Sequence, residues 1–164
     1  MPMDFSRLSK PEALGAAAGI LLVVSLFFFP WYSLTETEMR AAGESFLCGD
    51  GEFSCTGWET FPILGPLLIL AAAAPLILAF IVVRGIELSW VPGEATMIAG
   101  FAATVLIGYN GIIDKPGTGV GEIGVTTDWG YWVALAAAIG IAAAGYWRSV
   151  EAGGPRERKA PGTV

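Results

Sequence analysis

Two cysteines, Cys48 and Cys55, are the side chains of this sequence best suited to covalent chemistry. They flank Gly49-Asp50-Gly51, which is typical of a tight hairpin turn, so they can face each other across a short ladder. Outside the cell, an oxidising compartment favours a disulfide that staples such a hairpin. A redox-active pair is the alternative, but thiol oxidoreductases favour Cys-x-x-Cys, whereas six residues with acidic neighbours intervene here. We therefore expect a structural disulfide between Cys48 and Cys55.

Carboxylates supply the other candidates for catalysis. In the hypothesis of a membrane-embedded enzyme, the reactive groups are the cysteines and carboxylates such as Asp50, Asp114 and Asp128. The chain has no His, which removes the usual general base and the commonest metal ligand. Two Cys are too few for a four-thiolate metal site. We predict a non-enzymatic protein without a catalytic or metal site.

Three glycines, Gly119, Gly121 and Gly124, have the spacing of the dinucleotide-binding fingerprint. That fingerprint works only between a strand and a helix of a βαβ unit, with an acidic residue about 20 positions further on. The surrounding sequence provides no such unit, so we interpret the glycines as a flexible connector and predict no cofactor. The formal charge of −6 argues against a nucleic-acid partner.

Four long apolar stretches make up most of the chain, and they must position the cysteines and carboxylates described above. Each comes close to the roughly 20 residues needed to cross about 30 Å of hydrocarbon. They comprise residues 13–29, 61–83, 95–113 and 129–147, and none contains Asp, Glu, Lys or Arg. The charged fraction, 15%, is low beside the roughly 25% of soluble domains. The predicted fold class is an all-α membrane protein, a four-transmembrane-helix bundle with a small disulfide-stapled extracytoplasmic hairpin loop.

Lys and Arg residues predict the orientation of these spans, because cytoplasmic segments are enriched in them. Arg40 and Lys115 lie on one side, and the other seven lie on the side of both termini. We predict a multi-pass plasma-membrane protein with cytoplasmic N- and C-termini and outer loops at 31–59 and 114–128. Residues 1–148 form the transmembrane domain, and 149–164 form a disordered cytoplasmic tail.

Local features indicate how the spans begin, pack and meet the interface. Ser9 and Glu12 have the spacing of a capping box, and Thr60 is the predicted cap of the second span. Every Trp lies near a predicted interface, where indole rings anchor helices. The predicted anchors are Trp31, Trp58, Trp90, Trp129, Trp132 and Trp147.

Small residues predict close helix contacts. Gly15 and Gly19 form a GxxxG pattern, which permits packing within the bundle or against another subunit. Pro75 predicts a kink in the second span, because it cannot donate to the Ala71 carbonyl. The polar groups inside the spans are expected to hydrogen-bond their own or neighbouring helices: Ser25, Thr96, Thr104 and Asn110. Without a charged residue, the usual sign of an ion pathway is missing.

Short motifs resemble a family of small four-span membrane proteins of high-GC Gram-positive bacteria. They are Leu26-Phe27-Phe28-Phe29-Pro30-Trp31-Tyr32-Ser33, Gly57-Trp58-Glu59-Thr60-Phe61 and Ile112-Ile113-Asp114-Lys115-Pro116-Gly117. That resemblance covers nearly the whole chain and implies no activity.

The architecture is also similar to claudin-type tetraspan proteins, in which Trp31, Cys48 and Cys55 would match the first outer loop. Ser45-Phe46-Leu47 stands where that family has Gly-Leu-Trp, so the likeness is one of architecture alone.

The acidic outer loop, the aromatic anchors and the small residues on the helices, without a catalytic motif, together predict an accessory or interaction subunit. Its partners would be the lipid bilayer and either another membrane protein or a second copy of itself. The alternative is a component of a small-solute transporter or channel, which Pro75 and the glycine-rich loops suggest.

Overall fold

Four long helices dominate the computed structural model, which describes residues 8–33, 54–85, 93–113 and 126–151. Each is long and apolar enough to cross a membrane. They are α1 (Lys10–Phe28), α3 (Leu64–Arg84), α4 (Glu94–Gly108, continued by a π-helical turn over Tyr109–Ile113) and α5 (Trp129–Glu151). A one-turn helix, α2 (Gly57–Thr60), precedes α3.

Capping interactions explain where α1 begins. The Ser9 N–H donates to Glu12 Oε2 at 2.8 Å, and Pro11 lies in the first turn, where its missing N–H costs nothing. The helix therefore starts at Lys10, ahead of the predicted boundary at residue 13. At the other end of the chain, α5 continues to Glu151, so residues 149–151, which were predicted to belong to the disordered tail, are helical. The rest of the predicted tail lies outside the described residues.

The start of α3 also differs from the prediction. Thr56 caps the separate turn α2, whose Glu59 side chain accepts from the Thr56 N–H at 2.9 Å. Thr60 ends this turn and does not cap α3; its hydroxyl donates to the Thr56 carbonyl. Phe61 leaves the helical region at φ −127° and ψ 86°, as expected for a residue before proline.

The four long helices form a cycle. Helix α1 packs against α3 and α5, and α4 packs against the same two neighbours. Glycines set the closest approaches, since a Cβ at Gly19 would lie 2.7 Å from the Ala72 carbonyl oxygen and 3.2 Å from Pro75 Cγ. Gly15 likewise faces Pro75 and Ala144. The predicted GxxxG pattern thus packs within the bundle, and the kink at Pro75 stays a prediction.

A small antiparallel sheet covers one end of the bundle, which we call the sheet end. Its three strands are β1 (Pro30–Ser33), β2 (Ser54–Thr56) and β3 (Thr126–Thr127), with β1 in the centre. Tyr32 is opposite Cys55 on one side and Thr127 on the other. The predicted hairpin turn at Gly49-Asp50-Gly51 lies outside the described residues. Strands β1 and β3 were not predicted.

Candidate functional site

A buried ion pair joins the first and last long helices at the opposite end of the bundle, which we call the terminal end. Glu12 Oε1 and Arg148 Nε lie 2.8 Å apart, and the two side chains are 1% and 24% exposed, respectively. Glu12 lies in the first turn of α1 and Arg148 in the last turn of α5. The dipole of each helix therefore favours the charge that it carries.

All four long helices meet around this ion pair. A cavity of about 10 Å³ lies beside it, and Thr96 in the first turn of α4 is among its lining residues. The other residues that line it are Pro11, Gly15, Pro75, Leu78, Ala144 and Gly145. In such an apolar setting a lone carboxylate would be costly, so each member of the pair makes the burial of the other tolerable.

The ion pair corrects the expectation that the spans carry no charge. The predicted first span began at residue 13, directly after Glu12, and the predicted fourth span ended directly before Arg148. A span that is defined by hydropathy ends wherever a charged residue occurs, so it cannot contain one. The helices of the structure continue past these boundaries and include Glu12 and Arg148. An ionisable residue inside a membrane helix is a functional-site candidate by default.

Aromatic side chains and neutral hydrogen bonds build the sheet end. The Trp31 indole N–H donates to the Ser25 carbonyl at 3.0 Å, and the Ser25 hydroxyl donates to the Gly130 carbonyl of α5 at 2.7 Å. Trp31 stands edge-on to Tyr131, with ring centroids 5.9 Å apart. These bonds tie α1, β1 and α5 together.

Trp31 is therefore not the interface anchor that its position suggested. Its side chain is fully buried. The indole N–H donates to the Ser25 carbonyl, and the ring packs on Tyr131 and Phe61. An interface anchor would instead present its ring to the headgroup layer.

The other predicted anchors are exposed where the structure describes them. Trp58, Trp129, Trp132 and Trp147 are between 40% and 55% exposed. Trp90 lies outside the described residues.

Two tyrosines in the aromatic cluster have different hydroxyl environments. The Tyr131 hydroxyl donates to the Ile107 carbonyl at 3.0 Å, just before the π-helical turn, and the Tyr131 ring lies over Gly111. The Tyr32 hydroxyl is buried without a hydrogen-bond partner among the described residues. Burial, and then the neighbouring Tyr131, raise the pKa of the Tyr32 hydroxyl above its ordinary value.

The remaining predicted site residues are spread over the chain. Thr104 and Asn110 donate to carbonyls of their own helix, those of Gly100 and Leu106. Cys55 is 2% exposed on β2, and Cys48 lies outside the described residues, so their disulfide stays a prediction. Within the part of the chain that the structure describes, no three His, Cys, Asp or Glu side chains group together as metal ligands do.

Fold and site together define a class: a multi-pass protein of four membrane-length helices, with a small sheet at one end and a buried ion pair at the other. Comparison with protein-family models, curated protein sequences and solved structures finds no match.

Proposed function

We propose that this protein is a non-enzymatic accessory subunit of the plasma membrane, which binds a partner membrane protein through its sheet end. In this proposal both termini are cytoplasmic and the sheet end is extracytoplasmic. The resemblance to small four-span proteins of high-GC Gram-positive bacteria belongs to the same proposal.

The observation that carries this proposal is the close packing of the four long helices in the part of the chain that the structure describes. Backbones of α1 and α3 approach closely at Gly19, and the cavity at the terminal end measures only about 10 Å³. That volume is at the lower limit for one water molecule. A bundle packed in this way supports an interaction role better than passage of a solute through a single chain.

Charge asymmetry supports a basic partner surface. The segments 31–59 and 114–128, which connect the elements of the sheet end, carry nine Asp and Glu residues against Arg40 and Lys115. Opposite charge on a partner accelerates encounter and fixes its orientation. The partner would therefore present Lys and Arg on its extracytoplasmic face.

The disulfide between Cys48 and Cys55 is part of this proposal, as a staple for the segment before β2. Two facts support it: Cys55 is buried, and the described residues include no free cysteine. Mass spectrometry after alkylation without reductant tests it. An unmodified chain is expected, and addition of two alkyl groups would contradict the staple.

Affinity purification of the tagged protein from its native membrane in mild detergent, with mass spectrometry of what is retained, tests the interaction. We expect one stoichiometric partner whose yield falls in the triple variant Glu36→Gln, Glu38→Gln, Glu44→Gln. The matched control is Glu94→Gln with Glu151→Gln, two exposed carboxylates at the terminal end. A chain that is recovered alone, or a partner lost equally from both variants, contradicts the proposal.

A second candidate, a component of a small-solute transporter or channel, is favoured by the buried Glu12. Buried carboxylates within membrane helices often carry protons or ions. Such a role requires several copies to form a pathway. Flux in liposomes that the Glu12→Gln variant loses would support it, and a monomer without flux would eliminate it.

A further inference from the structure

An apolar groove opens between α3 and α4 near the sheet end. Its volume is about 370 Å³, within the range of small-ligand sites. One wall is the start of α3, where Ile63 is 79% and Leu67 is 45% exposed, so the groove faces the surroundings of the bundle. The full lining is Phe61, Pro62, Ile63, Leu64, Leu67, Leu106 and Asn110.

Asn110 is the polar residue in this lining, and it lies in the π-helical turn over Tyr109–Ile113. Such turns often occur at functional sites. Its side-chain N–H donates to the Leu106 carbonyl at 2.9 Å, which fixes the amide against its own helix. No described residue donates to its amide oxygen, so this oxygen keeps its capacity to accept a hydrogen bond at the wall of the groove.

The position of the groove along the membrane normal indicates which kind of ligand it can bind. The groove is formed by the first turns of α3 and the last turns of α4, at the end of two membrane-length helices. Trp58 lies against Gly65 in the first turn of α3 and is 40% exposed, as expected of an indole at the membrane interface. A ligand here has its apolar part beside hydrocarbon and its polar part beside the headgroups.

Charge selects the headgroup. Exposed Glu59 precedes this wall of the groove, and Asp114 follows the π-helical turn directly in sequence. The segments 31–59 and 114–128, which are continuous in sequence with the strands of the sheet end, carry nine Asp and Glu residues against two Lys and Arg residues. Anionic headgroups are repelled there, whereas a protonated amine is attracted and can donate to Asn110.

We propose that the groove between α3 and α4 binds one lipid with an amine-bearing headgroup, whose acyl chain lies along Leu64, Leu67 and Leu106. The headgroup amine donates to the Asn110 amide oxygen. This inference does not depend on the accessory role, since a bound lipid and a protein partner are measured separately.

Native mass spectrometry tests the site on the full chain in nanodiscs of equal parts phosphatidylethanolamine and phosphatidylglycerol. We expect one retained phosphatidylethanolamine per chain, in about tenfold excess over phosphatidylglycerol. Leu67→Trp fills the groove and lowers retention about tenfold. The control Leu70→Trp, at a 69% exposed position of the same helix outside the lining, retains the lipid.

A second variant separates chain binding from headgroup recognition. Asn110→Leu keeps the apolar groove, so it should retain lipid but lose the preference for phosphatidylethanolamine. The proposal is overturned if no lipid is retained, if phosphatidylglycerol is preferred, or if Leu67→Trp and Leu70→Trp behave alike. Crosslinking of a second copy or of a partner helix into the groove would also overturn it.

Discussion

The two ends of the bundle are held together by different physical means. At the sheet end, Trp31 and Tyr131 pack ring against ring and donate to backbone carbonyls. At the terminal end, Glu12 and Arg148 form an ion pair inside the helix contacts. Removing one neutral hydrogen bond costs only about 1 kcal/mol of folding free energy. Removing one member of a buried ion pair costs more, because the other member is left as an uncompensated charge. The terminal end should therefore be the more sensitive to a single substitution.

The largest effect is expected for Glu12→Gln, which keeps an acceptor for the Ser9 N–H but leaves Arg148 uncompensated. We expect the free energy of unfolding to fall by about 3 kcal/mol, the low end for a buried pair because Arg148 is 24% exposed. Reversible unfolding in mild detergent measures it. The double variant Glu12→Met with Arg148→Met should recover most of the loss, and Glu151→Ala should change little. Equal stability of Glu12→Gln and Glu151→Ala would remove the asymmetry between the ends.

At the sheet end, Gly111→Ala tests packing. The new methyl group would overlap the Tyr131 ring, and overpacking of this kind costs about 2 kcal/mol. The matched control is Gly108→Ala on the same helix, where a Cβ meets nothing within 4 Å. Thermal unfolding of both variants in one detergent gives the comparison. A Gly108→Ala loss as large as that of Gly111→Ala would show that helix geometry, and not the ring, is responsible.

The two buried tyrosines provide a smaller contrast. Tyr131→Phe deletes the hydrogen bond to the Ile107 carbonyl and should cost about 1 kcal/mol. Tyr32→Phe deletes a buried hydroxyl that has no partner among the described residues, so its stability should be unchanged or slightly higher. Denaturant titration of both variants measures the difference. The contrast fails if Tyr32→Phe is the more damaging of the two.

The smallest effect concerns alkaline pH. The raised pKa of Tyr32 means that the folded state keeps the proton after the unfolded chain has lost it, above an ordinary value of about 10. The contribution of Tyr32 to the free energy of unfolding is therefore fully present below pH ~10 and is lost as the pH rises further. Tyr32→Phe should make the unfolding midpoint less dependent on pH in this window. An identical pH dependence in both proteins would refute the assignment to Tyr32.

Sequence predicted the helices because their signal is local. About 20 consecutive apolar residues identify a span without knowledge of its neighbours. The Ser9 to Glu12 spacing indicated the cap of α1, although the predicted span began only at residue 13. Two of the three strands were not predicted, because strands of two to four residues have almost no periodicity. The exception is β2, which overlaps the second strand of the predicted hairpin around Gly49-Asp50-Gly51. The pairing of the strands also joins segments far apart in the chain.

The candidate site was missed for a related reason. Nothing near Glu12 in sequence indicates Arg148, since the contact depends on the cyclic order of the helices. Trp31 was misassigned because an indole next to a span looks the same in sequence whether it faces lipid or packs inward. Its hydrogen bond to Ser25 is local, but the burial comes from Tyr131 and Phe61 in distant segments.

The ion pair between the first and last helices has a consequence for biosynthesis. At roughly 5–20 residues per second, Arg148 is synthesised on the order of ten seconds after Glu12. During that interval α1 holds a carboxylate without its cation, so the terminal end is the last part of the bundle to close. A nascent chain that stops before Arg148 therefore carries an exposed acidic group at the membrane. We expect such truncated chains to be degraded faster than truncated chains with Glu12→Gln, which pulse-chase labelling would measure.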